Sequence, residues 1–190
     1  MIHRNISSTE ILVTRIVTPL GMMTACTVCG ELCLFEFSDR DLLDTEMHQI
    51  QELLGGTPAR GDCTLFDALR LQTGEYFSGQ RHQFTLPLKF VGTPFQQLVW
   101  RGLLDIPYGT TRSYKEQAQM IGKPDAVRAV AHANGQNRIA IIVPCHRVIG
   151  SDGSLTGYGG GLERKRWLLN LEAGAMPHPD QQRLFGASTA

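Results

Sequence analysis

The chain has 190 residues, 42 % hydrophobic and 19 % charged, with 18 Lys+Arg balancing 18 Asp+Glu, an ordinary composition for one large globular domain or two small ones sharing a core. No run of about 18 apolar residues occurs, so no membrane-spanning helix is expected. Met1-Ile2-His3-Arg4-Asn5-Ile6 lacks the apolar core and small-residue cleavage site of a secretory signal, so a cytoplasmic location with reduced cysteines is expected.

The neutral total hides an asymmetry. Residues 1–90 carry 7 Lys+Arg against 11 Asp+Glu, and residues 91–175 carry 10 against 6. A polyanion, if one binds, should therefore meet the second half. Cys26, Cys29, Cys33 and Cys63 lie in the acidic half and Cys145 stands alone in the basic half.

Residues 11–17 and 22–28 read as strands separated by the Pro19-Leu20-Gly21 turn, and residues 32–37 as a third after Gly30. Ser38 or Asp39 is the expected cap of a helix carrying Leu43, Met47, Ile50 and Leu54, which Gly55-Gly56 ends. A second helix is expected over residues 64–77 and a short strand over 84–88. Gly92-Thr93-Pro94 marks a boundary. Thr93 with Gln96, and Ser113 with Glu116, have the spacing of capping boxes opening two further helices. Pro124-Asp125 is expected to open a third, running to about Asn134. The pair of short helices around Gly122 is a helix-turn-helix pattern. Residues 138–143 read as a buried strand or extended run, 150–161 as a glycine-rich loop, and 162–172 as the last helix.

Chemistry concentrates at Pro144-Cys145-His146. A thiol attacks carbon as thiolate, and an imidazole is the usual acceptor of its proton. Adjacent residues on an extended chain point apart, so a water is expected between Cys145 and His146, with Glu172 as the carboxylate orienting the imidazole. Taken alone, the pair reads first as a buried thiol beside a packed imidazole. Cys26-Thr27-Val28-Cys29 has zinc-knuckle spacing, but no second such pair follows, and core cysteines are expected there.

Further residues add to this pair. Pro144-Cys145-His146-Arg147-Val148, Thr156-Gly157-Tyr158-Gly159-Gly160-Gly161 and Trp167-Leu168-Leu169 resemble the O6-alkylguanine-DNA alkyltransferase family. Gly92-Thr93-Pro94-Phe95-Gln96, Ile106-Pro107-Tyr108-Gly109, Ser113-Tyr114, Ala126-Val127-Arg128-Ala129-Val130 and Ala133-Asn134-Gly135-Gln136-Asn137 extend the likeness across residues 92–172 in order and spacing. The N-terminal half resembles the family more loosely, through Thr18-Pro19-Leu20-Gly21 and Tyr76-Phe77-Ser78-Gly79.

The resemblance implies an α/β chain. Residues 1–90 would form a ribonuclease-H-like domain with a small antiparallel sheet, residues 91–175 a mostly helical winged helix-turn-helix domain, and residues 176–190 a loose tail. It implies single-turnover DNA repair by transfer of an alkyl group from O6 of guanine, with O4 of thymine as a further substrate, to Cys145. His146 would deprotonate the thiol through water with Glu172 behind it. Tyr114 would aid nucleotide flipping and donate a proton toward the departing guanine. Asn137 would brace the turn between recognition helix and site. Arg128 would fill the gap left by the flipped base, while Ala126 and Ala129 let the helix approach the minor groove. Val148, Tyr158 and the Gly159 amide would line the base pocket, although family members often carry serine at 159. The implied partner is double-stranded DNA containing O6-alkylguanine, bound by a monomer without membrane, metal or cofactor. Arg147 reads as structural or phosphate-facing. A cysteine hydrolase and a non-catalytic binder of alkylated DNA remain rival readings; the presence of Cys145 argues against the second.

Overall fold

In the computed structural model, which describes residues 10–175, the chain opens with a three-stranded meander. Strands β1 (Ile11–Thr18), β2 (Gly21–Val28) and β3 (Glu31–Phe37) pair antiparallel in sequence order. The tail expected at residues 176–190 lies outside the described residues. Both hairpins close through two residues. At the second, Cys29 (φ 51°) and Gly30 (φ 77°) both adopt the left-handed conformation, whose twist matches that of the flanking strands.

Met23 to Val28 and Leu32 to Phe37 are buried without interruption, because both faces of the sheet are covered. Ile50 of α1 (Leu43–Leu54) shares one core with Cys26, Cys33 and Leu34. Phe66, Leu69 and Tyr76 of α2 (Thr64–Phe77) share the other with Met23, Ala25, Phe35 and Phe37. A strand buried on two faces has no reason to alternate apolar with polar.

The sheet is mixed, which corrects the expectation of an antiparallel one. β4 (Pro58–Arg60) pairs parallel with β1, giving the order β3-β2-β1-β4. The crossover through α1 returns the chain in the direction of β3, and β3 runs parallel to β1. The strand expected over 84–88 reduces to a single bridge between Leu32 and Leu88, since Pro87 has no amide hydrogen to extend a ladder. The extended run expected over 138–143 reduces to one bridge from Phe35 to Ile139. Beyond it the chain turns at Ile141 (φ 71°). That bridge still matters for position, because Ala140 N donates to Phe35 O at 2.7 Å and fastens the approach to Cys145 onto the edge of the sheet.

Neither expected cap of α1 serves as one. Leu42 precedes the helix without a side-chain cap. Ser38 instead bonds Thr24, and Asp39 pairs with Arg164 of the last helix. Both later capping boxes form as the spacing predicts: Thr93 and Gln96 open α3 (Pro94–Leu104), and Ser113 and Glu116 open α4 (Tyr114–Met120). α5 (Val127–Gly135) starts later than Pro124 suggested.

α4 and α5 are locked by a buried pair of side-chain amides, Gln117 and Asn134, which exchange hydrogen bonds of 3.2 and 2.6 Å. Trp100 of α3 donates its indole N–H to Ala133 O at 2.8 Å. β5 (Arg112–Ser113) and β6 (Val148–Ile149) form a two-residue parallel ladder, and α6 (Leu162–Glu172) completes the fold. The larger core runs without a break from β3 and α2 into α3, α5, residues 139–143 and α6. Among the described residues no helix is long and apolar enough to cross a membrane.

Candidate active site

Cys145 sits in a single 3-10 turn, Cys145–Arg147, between the run fastened to β3 and strand β6. The turn replaces the extended geometry expected there. Cys145 is 6 % exposed and His146 fully buried. Among the described residues the two side chains share no hydrogen bond. The thiol is approached instead by Asn137 Nδ2 at 3.3 Å. Asn137 also donates to Val143 O at 2.8 Å and accepts from Ile139 N at 3.1 Å. One side chain thus spans the loop from the end of α5 to the thiol.

His146 Nε2 lies 2.8 Å from Glu172 Oε1. Glu172 also accepts two bonds from Arg147, at 2.8 and 2.9 Å, one from Tyr76 Oη at 2.7 Å, and one from Gly109 N at 3.2 Å. Burial raises the Glu172 carboxyl, but the bonds from His146 and Arg147 overcome it and hold the acid well below the usual carboxylate range. An ionised carboxylate only accepts hydrogen bonds, so the neutral imidazole carries its proton on Nε2. Nδ1 is then the acceptor nitrogen, and it is buried with no hydrogen-bond partner among the described residues. Burial pushes the imidazole down despite Glu172, which keeps it neutral, and so able to accept a proton, at neutral pH. Burial pushes the Cys145 thiol up to about 11, against the opposing effect of the Asn137 bond. The resting site is therefore a protonated thiol and a neutral base.

Sequence reasoning gave Tyr76 and Lys165 no role in the site and left Arg147 between two. Tyr76 joins Glu172 from α2. Arg147 turns inward to Glu172 and to Ile106 O (2.6 Å), which settles it as structural and not phosphate-facing. Lys165, fully buried, donates to Val148 O (2.5 Å) and Thr156 O (2.6 Å), and burial pushes it down to about 8. Tyr76 lies in a stretch that carries the family resemblance, but nothing local to it or to Lys165 gives a role in the site, because their partners are distant in sequence.

The other expected site residues fall in three places. Tyr114, at the start of α4, donates toward Thr156 O (3.0 Å) and Gly157 O (3.3 Å). Burial raises its phenol, so it stays protonated. Gly157 (φ 58°) leaves no room for a side chain, since a Cβ there would stand 2.9 Å from the Tyr114 hydroxyl. Tyr158 is half-buried with a buried hydroxyl that has no partner among the described residues, and Gly159 is exposed beside it. A cleft of about 340 Å³ opens there between residues 157–159, Gly135 and Arg40–Leu42. Val148 lies apart from this cleft, fully buried in the core.

On α5, Arg128 and Ala129 are exposed and Ala126 half-exposed. Arg128 makes no hydrogen bond or ion pair among the described residues. Ala133, which extends the same small-residue stripe in sequence, is buried beneath Trp100. Of the cysteines read as core, Cys26 and Cys33 are buried but Cys29 is exposed at the hairpin turn. A larger cleft of about 720 Å³ between β1 and α2 contains none of the expected site residues.

Residues 94–174 match the family described as 6-O-methylguanine DNA methyltransferase, DNA binding domain. The methylated-DNA–protein-cysteine methyltransferase of Mycobacterium tuberculosis H37Rv is 60 % identical over 106 residues, covering 56 % of this chain. That alignment spans 64 % of the relative's own length. The methyltransferase of the same name from Mycolicibacterium paratuberculosis is 47 % identical over 150 residues, 77 % of this chain and 90 % of the relative. The crystal structure of Mycobacterium tuberculosis OGT in complex with DNA superposes with a TM-score of 0.75 at 42 % identity, covering 92 % of this chain and 99 % of that one. The chain belongs to the methylated-DNA–protein-cysteine methyltransferase family.

Proposed function

We propose that this chain repairs DNA by moving an alkyl group from O6 of guanine to Sγ of Cys145, once per molecule. The observation that carries this reading is a buried thiol followed in the chain by a buried imidazole whose Nδ1 has no partner among the described residues and whose Nε2 is tied to an ionised carboxylate.

In this reading a water passes the thiol proton to His146 Nδ1, and Glu172 stabilises the imidazolium. The thiolate pair forms the S–C bond as the C–O6 bond breaks, and the departing guanine takes a proton from the Tyr114 hydroxyl. The imidazolium proton, returned through water to Tyr114, restores the starting charge. The thioether product resists hydrolysis under mild conditions, so the protein acts once. O4 of alkylated thymine offers the same electrophilic carbon and falls under the same chemistry.

The damaged nucleotide must leave the stack to reach a thiol buried this deeply. Residues 91–175 serve as a winged helix-turn-helix unit, with α4 and α5 as its helix pair, and residues 1–90 as a ribonuclease-H-like unit. Arg128 enters the duplex from the exposed face of α5, with Ala126 and Ala129 allowing a close approach to the minor groove. Tyr158 and the Gly159 amide wall the base; Val148 supports that wall from within the core. Asn137 holds the thiol to the end of α5. Binding is as a monomer to double-stranded DNA.

The test is the intact-protein mass after mixing with duplex DNA containing O6-methylguanine. A gain of one methyl group on the Cys145 peptide, with repair stopping at one guanine per protein, is expected. Repair continuing past one equivalent would overturn the reading in favour of a cysteine hydrolase.

A further inference from the structure

Arg40 follows β3 in sequence yet ends at α5. Its guanidinium is enclosed, the residue being 8 % exposed. Nη2 donates to Gly135 O at 2.6 Å and Nη1 to Asn137 O at 3.1 Å, the last residue of α5 and the hinge beyond it. Two buried carboxylates hold the cation in place: Glu36 by a hydrogen bond and ion pair, and Glu46 at 3.2 Å. Glu36 is in turn fixed by accepting from Phe37 N at 2.8 Å. The other side of the guanidinium lies against Gly159, where a Cβ would stand 2.7 to 3.0 Å from its terminal atoms.

Three parts of the site meet at this one group: the C-terminal end of the helix bearing Arg128, the backbone of the residue whose side chain reaches Cys145 Sγ, and the loop carrying Tyr158. Lysine cannot replace it, because a single ammonium lacks the planar fork that reaches two carbonyls and two carboxylates together. Nor can the guanidinium swing aside to admit a side chain at 159 without giving up those partners. Glycine at 159 is thereby matched to the arginine at 40.

We propose that Arg40 is a positioning residue for alkyl transfer, setting the thiol, the end of α5 and the Gly159 wall in one fixed geometry, with Gly159 as its steric partner. This rests on the alkyl-acceptor reading of Cys145, so the test carries a readout that does not depend on DNA repair.

Arg40→Lys, Arg40→Ala, Gly159→Ala and the double variant Arg40→Ala/Gly159→Ala are compared with wild type in single-turnover repair of an O6-methylguanine duplex. Rates are scaled to folded protein measured by near-ultraviolet circular dichroism. Alongside, the rate of carboxamidomethylation of Cys145 by iodoacetamide is followed by peptide mass. Arg40→Lys and Arg40→Ala should each lower the repair rate at saturating DNA by at least about tenfold, the usual penalty for losing a group that orients a reacting side chain. The DNA concentration at half-saturation should stay within about threefold, since the exposed face of α5 is unchanged. The Cys145 carboxamidomethylation rate should change by more than about threefold in both Arg40 variants as the Asn137–thiol contact loosens. Gly159→Ala should be slow in the Arg40 background and cause little further loss once Arg40 is alanine, the non-additivity expected of touching residues.

If Arg40→Ala does not fold, Arg40→Lys and Gly159→Ala decide the matter alone. Lysine restoring wild-type repair and thiol reactivity per folded molecule would overturn the proposal, as would fully additive losses in the double variant. A wild type that repairs nothing but whose Cys145 reactivity still depends on Arg40 would sink the alkyl-acceptor reading while leaving the positioning role standing.

Discussion

His146 Nε2 and Glu172 Oε1 stand 2.8 Å apart with both side chains sealed from solvent, and Glu172 arrives there from the last residue of α6. The same carboxylate neutralises Arg147 and accepts from Tyr76, so it joins α2, α6 and the Cys145 turn. From sequence, Glu172 was expected only to orient the imidazole. Its place in the structure makes it a structural anchor as well, and that changes what its removal should do.

Glu172→Gln should slow repair and also destabilise the protein by roughly 3 kcal/mol, because Arg147 is left as a buried cation without its partner. The folded-state pKa of Glu172 lies below its unfolded value, so its contribution is present above about pH 4.5 and is lost as pH falls through the depressed value. Thermal unfolding from pH 7 to pH 3 checks this: wild type should lose more stability on acidification than the variant. Parallel curves would place the anchor elsewhere.

Repair by wild type should be flat with pH through the neutral range, since the imidazole pKa is depressed and His146 is already neutral. In His146→Ala the thiol, pushed up to about 11, must ionise unaided. Its rate should be low at pH 7 and climb about tenfold per unit toward pH 10, in proportion to the thiolate fraction. Superimposable pH profiles for the two proteins would mean that Cys145 is activated without His146.

Arg128→Ala removes an exposed side chain with no partner among the described residues, so stability should shift by no more than about 0.5 kcal/mol. Repair of duplex DNA should fall far more than reaction with free O6-benzylguanine, which needs no flipping. Ala129→Leu should weaken duplex binding likewise without affecting the free base. Equal losses on both substrates would remove Arg128 from the flipping step.

Tyr114→Phe separates proton donation from packing. The ring packs against the main core, so phenylalanine should keep stability within about 1 kcal/mol while repair slows about tenfold or more. Tyr114→Ala should in addition cost roughly 1–2 kcal/mol of stability from lost burial, a penalty that a purely surface tyrosine would not carry. Urea unfolding of the two variants measures the difference.

Local chemistry was enough to place much of this molecule from its sequence. The capping boxes at Thr93 and Ser113, the two hairpins, the helix ended by Gly55 and the adjacency of Cys145 and His146 all depend on residues within four positions of one another, and such short-range preferences are written in the chain itself. The pairing of His146 with Glu172 was legible because an imidazole acting on a thiol needs an orienting carboxylate and the resemblance to a family pointed to the same residue; spacing alone did not supply it. What only the tertiary structure decided are arrangements between distant residues. Pro87 and the turn at Ile141 cut two expected strands to single bridges, and α1 made the sheet mixed. Asp39 left its expected cap to pair with Arg164, and Arg147 turned inward to Glu172. Arg40 reached 97 residues along the chain to hold the hinge before Cys145. A buried charge is stable only where folding brings it compensating partners, and for Glu172 and Arg40 those partners come from segments that no local pattern connects.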